Sequence, residues 1–594
     1  MSPSRPGWRF DLGVLLTAWA FVFLLHPPPG FFWGEYPSVV YRMLSLPAGL
    51  DGLRAAIEWQ ATVHTPGLTR PMRAVQWWLA ARLLGCDPFA YFVVNGLAVG
   101  IVAWAIARVT WHATGSLARG LAAGACASVS YVSVYSILPF FSFGVSAASA
   151  FGGLALSFGG ERRGGRWRAP GGFLLLLVGG LAHETLLALA LVPLAWAAVV
   201  RREGAAVRRA LPYAAVVPAY VVASWLLAAA YGTGAPVYLG VLRTLRDAAP
   251  LLVEFPLRVL FTLGTGGLPL DPLRAAPWLG EFQRLRDLAL TPAGVATFAL
   301  ALAPGLGLTA LALAAARREA VARRRAAFCL VWVALGSLPL LLPFGVPEAF
   351  HLTGALGGVF LLWGEAWSAL PRRRAVVALA LLVLWAGIHG SARWALFHRD
   401  LPRMRASLDA LHRVLAEADR ADRSVGVLFF PVQFGGHYGM LPTVPPLYPA
   451  SATAEGACRL GERQRGCLLA PSWVWRTLGP MPSPPGACLT DDGVRVGPLD
   501  AEARRRNERM RVMLGQRGAG WLTQRPSPVR TDEWRHLDVC PLPPPERVEI
   551  GGRAFDLYRE TAGAARLWYR YVLAPSPRLI PIGRCEDGRG AGKP

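Results

Sequence analysis

Apolar runs of about twenty residues, broken by short arginine-rich stretches, fill the chain as far as Ser391. A helix rising about 1.5 Å per residue needs about 20 such residues to cross a hydrocarbon core about 30 Å thick. The runs at 12–32, 89–108, 118–138, 140–159, 170–183, 185–200, 210–231, 292–316, 326–344, 351–370 and 375–391 predict eleven spanning helices. Between them stand Arg108, the stretch ERRGGRWR (161–168), Arg201, Arg202, Arg208, Arg209, five arginines within 317–325, and Arg372-Arg373-Arg374. Basic residues gather in cytoplasmic loops. With Arg5 and Arg9 inside, every arginine-dense turn falls on that same side. The pattern predicts an α-helical polytopic membrane protein, N-terminus inside, with outer loops at 33–88 and 232–290.

After Ser391 the apolar runs shorten and Pro, Arg and Asp rise, so residues 1–391 read as a transmembrane domain and 392–594 as an extracytoplasmic α+β domain. Residues 403–421 have helical spacing, with Leu408, Leu411 and Leu415 on one face. VGVLFFPV (425–432) is a buried-strand candidate, and VEIGGRAFDLY (548–558) predicts a β-hairpin around Gly551-Gly552. Five of the eight cysteines lie here: Cys458, Cys467, Cys488, Cys540 and Cys585. Their spacings fit no zinc pattern. An oxidising outer compartment favours one or two disulfides, with Cys458–Cys467 the first choice.

Composition agrees with the span count. The 594 residues are 54% hydrophobic and 16% charged, with a mean hydropathy of +0.37, outside the range of ordinary soluble domains. A net charge of +24 on its own suggests nucleic acid. The arginines sit in short clusters between apolar segments, however, which is the signature of cytoplasmic loops and argues against a nucleic-acid partner. The first apolar run imitates a signal peptide. It ends in His26-Pro27-Pro28-Pro29-Gly30 without a small-x-small cleavage site, so it reads as an uncleaved span.

Three clusters of ionisable residues fall at predicted outer span ends: Glu35 with His64, Arg70 and Arg73; His183-Glu184 between two short spans; and Glu348 with His351. Charged groups near hydrocarbon are costly, so they mark candidate functional sites. The plainer alternative is that each anchors a helix end at the interface. The stretch 71–84, with Arg73 and Arg82 beside Trp77 and Trp78, is amphipathic and is expected along the membrane surface.

TRPMRAVQWWLAARLLGCDPFAYFVVNGL (69–97) resembles the first-loop-to-second-span signature of polytopic type-C glycosyltransferases, the protein O-mannosyltransferase-like (GT-C) superfamily. The matching positions are Arg70-Pro71, Gly85 to Tyr91, and Asn95. GLAHETLLALALVPL (180–194) is similar to the family's Lys-Glu-Thr junction, with His183 in the lysine place and Glu184-Thr185 kept. PEAFHLTGALGGVFLL (347–362) is similar to a later span start. The resemblance runs in order over residues 1–435; residues 436–594 match no named pattern.

The resemblance implies a bacterial inner-membrane enzyme that moves a sugar from a polyprenyl-phosphate carrier to an acceptor on the outer side. Glu35 takes the family's acidic position as catalytic base; Arg70, Arg73 and His183 take the donor phosphate; His64, Glu184, Glu348 and His351 share the cavity. The acceptor is unspecified, and a divalent cation is an open option. The family usually carries two acids after the first span, and this chain has Gly34-Glu35. An inactive relative serving as a membrane scaffold is therefore an alternative. A transporter is another, although the inverted repeats that class would show are absent from the sequence.

Overall fold

The computed structural model describes residues 8–28, 39–40, 43–44, 46–64, 70–85, 87–130, 133, 141–159, 167–232, 256, 259–260, 262–266, 292–338, 352–369, 371–395, 397–398 and 402, and five short strands beyond them. The chain divides into two units. One comprises Met1–Pro29, Arg42–Arg274 and Thr291–His398; the other comprises Gly30–Tyr41, Ala275–Leu290 and Arg399–Pro594.

The first unit is helical. Its elements are α1 (Trp8–Leu25), α2 (Leu50–Trp59), α3 (Pro71–Leu84), α4 (Pro88–Thr114), α5 (Leu117–Val129), α6 (Phe141–Gly159) and α7 (Arg168–Ala182). A 3₁₀ segment (Glu184–Leu191), α8 (Val192–Trp196) and a π turn (Ala197–Arg201) come next, then α9 (Gly204–Ala214) and α10 (Val216–Tyr231). The series ends with α11 (Pro292–Ala316), α12 (Ala320–Ser337), α13 (Thr353–Ala369) and α14 (Arg372–Ala395). Among the described residues, six helices are long and apolar enough to cross a membrane: Trp8–Leu25, Pro88–Thr114, Glu184–Arg201, Gly204–Tyr231, Ala299–Ala316 and Arg372–Trp394. Leu117–Val129, Phe143–Phe158 and Arg168–Ala182 are shorter apolar helices. The protein is a polytopic helical membrane protein.

Lipid tails are as apolar as leucine, so burial alone does not drive helices together in a bilayer; close packing and polar contacts do. Both are present. A Cβ built on Gly153 of α6 would lie 2.7 Å from the carbonyl oxygen of Gly172 on α7, and one on Gly358 of α13 2.9 Å from that of Cys329 on α12. Backbones therefore approach closely where α6 crosses α7 and α12 crosses α13. Three polar clamps add to this. Asp11 of α1 accepts from Arg108 Nε at 2.6 Å and from Trp104 Nε1 at 2.8 Å, joining α1 to α4. Glu365 of α13 is buried between Arg325 Nε at 2.7 Å and Arg119 Nη1 at 3.3 Å, joining α13 to α12 and α5. Arg393 of α14 donates from Nε to His26 Nε2 at 3.1 Å, and from Nη1 to Ser133 Oγ at 2.7 Å and to the Ser128 carbonyl.

The second unit contains five described strands: β1 (Val425–Leu428), β2 (Glu546–Ile550), β3 (Arg553–Leu557), β4 (Leu567–Val572) and β5 (Arg578–Gly583). β1 pairs parallel with β4 and β4 antiparallel with β5, in the order β1-β4-β5. β2 and β3 form an antiparallel hairpin from Glu546↔Leu557 to Ile550↔Arg553. The predicted hairpin and the predicted strand at 425 are both at their expected places. The predicted helix 403–421 and the five cysteines of this region lie outside the described residues.

Candidate functional site

α3 opens at Pro71, whose fixed φ and missing N–H suit the first helical position, with Arg70 as the preceding cap. The Arg70 N–H donates to Gln60 Oε1 at 3.0 Å, and Gln60 begins the π turn Gln60–His64 that continues α2. The Arg70 carbonyl accepts from the N–H of Arg73 at 3.0 Å and of Ala74 at 3.3 Å. The backbone of Arg70 is thus fixed from both sides before its side chain is considered.

That side chain reaches across the fold. Arg70 Nε donates to Glu184 Oε2 at 2.6 Å and Nη2 donates to Glu184 Oε1, a two-point fork between residues 114 apart in sequence. Both residues are 8% exposed. Glu184 is available there because α7 stops at Ala182 and His183 takes an extended backbone (φ −153°, ψ 110°). The chain then resumes as a 3₁₀ segment of eight residues, longer than the three or four usual for that helix. His183 Nδ1 lies 2.8 Å from Thr185 Oγ1, and its ring meets Phe143 edge-on at 5.1 Å. The break between the two short spans is therefore polar, built and buried.

Arg73 follows one turn after Arg70 on the same side of α3. It is buried, with its guanidinium 4.4 Å from the Trp77 ring centre. Ser146 Oγ of α6 donates to Gln76 Oε1 at 3.0 Å. The face of α3 carrying Arg73, Gln76, Trp77 and Ala80 is buried, the helix packs on α6 and α7, and Leu79 and Leu83 are left exposed. Rather than a polar face toward water, the basic residue at 73 is turned inward. The other resembling positions have structural partners. Gly85 has φ +61°, which only glycine adopts without strain. Tyr91 Oη donates to the Gly85 carbonyl at 3.1 Å, and Asn95 is fully buried in α4.

The structure thus brings Arg70 and Glu184 into contact, sets His183 beside Glu184 in sequence and on Thr185, and sets Arg73 one turn from Arg70. His64 ends the π turn that starts at Gln60. Glu35, Glu348 and His351 lie outside the described residues. The chain just past His351 does reach the break: a Cβ built on Gly354, near the start of α13, would lie 3.6 Å from the Thr185 carbonyl oxygen. Trp332 Nε1 holds that end by donating to the Gly354 carbonyl at 2.9 Å. Gln60 and Ser146, which tie α3 in place, gave no signal in the sequence: a lone polar residue in an apolar run has no spacing to read. Among the described residues, no group of three or more His, Cys, Asp or Glu could hold a metal ion.

No protein-family model matches the chain, and no curated protein does. Among solved structures it is similar to the crystal structure of ArnT from Cupriavidus metallidurans bound to undecaprenyl phosphate, at 14% identity and a TM-score of 0.35, over 94% of this chain and 98% of that one.

Proposed function

We propose that this protein is a glycosyltransferase that moves a sugar from a polyprenyl-phosphate carrier to an acceptor on the outer face of the bacterial inner membrane. One observation carries the reading. The Arg-Pro and Glu-Thr positions of the type-C glycosyltransferase resemblance, 114 residues apart, converge as a buried Arg70–Glu184 fork at a break between spans.

The depth of that break suits a lipid phosphate. With Arg168 at the inner boundary, the fifteen residues of α7 rise about 22 Å, less than the roughly 30 Å core. The break then lies beneath the outer boundary, where a carrier's phosphate enters from the side and a guanidinium is strongly felt. In the proposed reaction the acceptor hydroxyl oxygen attacks the anomeric carbon and Glu35 takes its proton. The bond from that carbon to the phosphate oxygen breaks, its electron pair leaves with the polyprenyl phosphate, and the sugar inverts. Arg70, Arg73 and His183 stabilise the departing phosphate, as guanidinium groups do well. His64, Glu184, Glu348 and His351 complete the cavity in this reading.

The same fork also favours a second reading, a scaffold without catalysis, because an arginine and a glutamate that neutralise one another need no substrate. Reconstituted full-length protein with a radiolabelled polyprenyl-phosphate sugar and a membrane-extract acceptor separates the two. Transfer by the wild type, lost about 10²–10⁴-fold in Glu35→Gln, is the expected result. Transfer unchanged in Glu35→Gln removes the base assignment, and no transfer beyond a protein-free control favours the scaffold.

A further inference from the structure

We infer that Glu184 is a positioning residue: its carboxylate sets the plane of the Arg70 guanidinium, and so how that arginine meets the phosphate of a polyprenyl lipid. The inference rests on the donor site proposed above and deepens it.

A single hydrogen bond leaves a guanidinium free to swing about that bond, whereas two contacts from one carboxylate fix both its place and its rotation. Glu184 makes two, to Nε and to Nη2. The other end of the residue is held independently, by Gln60 on the Arg70 N–H and by the first turn of α3 on its carbonyl. A long side chain anchored at both ends has given up its rotamer freedom before any ligand arrives, which is the gain from preorganisation. Glu184 is itself well held. The Leu186 N–H donates to the His183 carbonyl at 3.0 Å, Thr185 Oγ1 engages His183, and Gly354 lets α13 approach the Thr185 carbonyl. The carboxylate thus transmits the geometry of the span break to an arginine of the first outer loop.

The test uses the full chain in detergent with two probes, undecaprenyl phosphate and undecaprenol, and reads the ratio of their affinities. That ratio isolates what the phosphate adds. A purely structural defect moves both affinities together and leaves the ratio alone. Glu184→Asp keeps the charge but draws the carboxylate back by about 1.5 Å, too far to hold both nitrogens. The expected result is a ratio about tenfold lower with undecaprenol binding unchanged, while the melt falls by a few degrees because a buried contact is lost. Glu184→Gln removes the charge that competes with the phosphate as well as one arm of the fork, so Glu184→Asp, which keeps the charge, is the deciding variant. A ratio unchanged in folded Glu184→Asp overturns the positioning role and leaves the donor reading standing. A wild type that binds both probes alike overturns the donor reading and this inference with it.

Discussion

Glu365 gives the sharpest stability prediction. Its carboxylate is 3% exposed and lies between two arginines, Arg325 at 2.7 and 3.1 Å and Arg119 at 3.3 Å. Glu365→Gln keeps the size of the side chain and removes the charge. At an effective dielectric constant of about 20, each attraction at about 4 Å is worth about 4 kcal/mol, so the gross loss is about 8 kcal/mol. Relief of the carboxylate's own desolvation returns several kcal/mol, leaving the roughly 3–5 kcal/mol usual when one partner of a buried pair is removed. At about 2 °C per kcal/mol, the full chain in detergent should melt about 6–10 °C lower by tryptophan fluorescence. Replacing the whole triad, as Arg119→Met with Arg325→Met and Glu365→Leu, should recover most of that loss, because no buried charge is then left uncompensated. A Glu365→Gln protein melting within about 1 °C of wild type would refute the reasoning.

Arg393→Lys keeps the charge, but one ammonium cannot span His26, Ser133 and the Ser128 carbonyl together, so a loss of about 1–3 kcal/mol is expected in the same melt. At Gly85 the space around a new Cβ is open and only the backbone objects, so Gly85→Ala should cost about 1–3 kcal/mol with no change in lipid-phosphate affinity. Reporter fusions after Arg168, Arg209, Arg325 and Arg374 should read cytoplasm, and a fusion after Ser391 the outside. An inside location for the last would reverse the orientation.

The order of the apolar helices and of the β2–β3 hairpin was legible in the sequence because each carries its own signal within a few residues, whereas α2, β4 and β5 were not anticipated. Apolar runs and arginine clusters mark helices and turns through the cost of placing charge in hydrocarbon. Helix is present in the described part of each predicted span, and six of the described helices are long and apolar enough to cross a membrane. Gly551-Gly552 between alternating residues marked the β2–β3 hairpin through backbone freedom. The break at His183-Glu184 was visible as a polar interruption between two runs too short for ordinary spans.

The facing of each helix was not legible. In a soluble helix the apolar stripe tells which side is buried, but a lipid-facing residue is as apolar as a core residue. Nothing along α11 separates Leu300, exposed, from Leu308, buried. Nor does α3 announce that Arg73 turns inward and Leu83 outward. The three polar clamps and the Arg70–Glu184 fork are decided by the tertiary structure alone. Arg70 and Glu184 are 114 residues apart, Arg393 and His26 are 367 apart, and no spacing encodes such pairs. What selects them is the cost of a lone buried charge, which becomes a choice of partner only once the helices have packed.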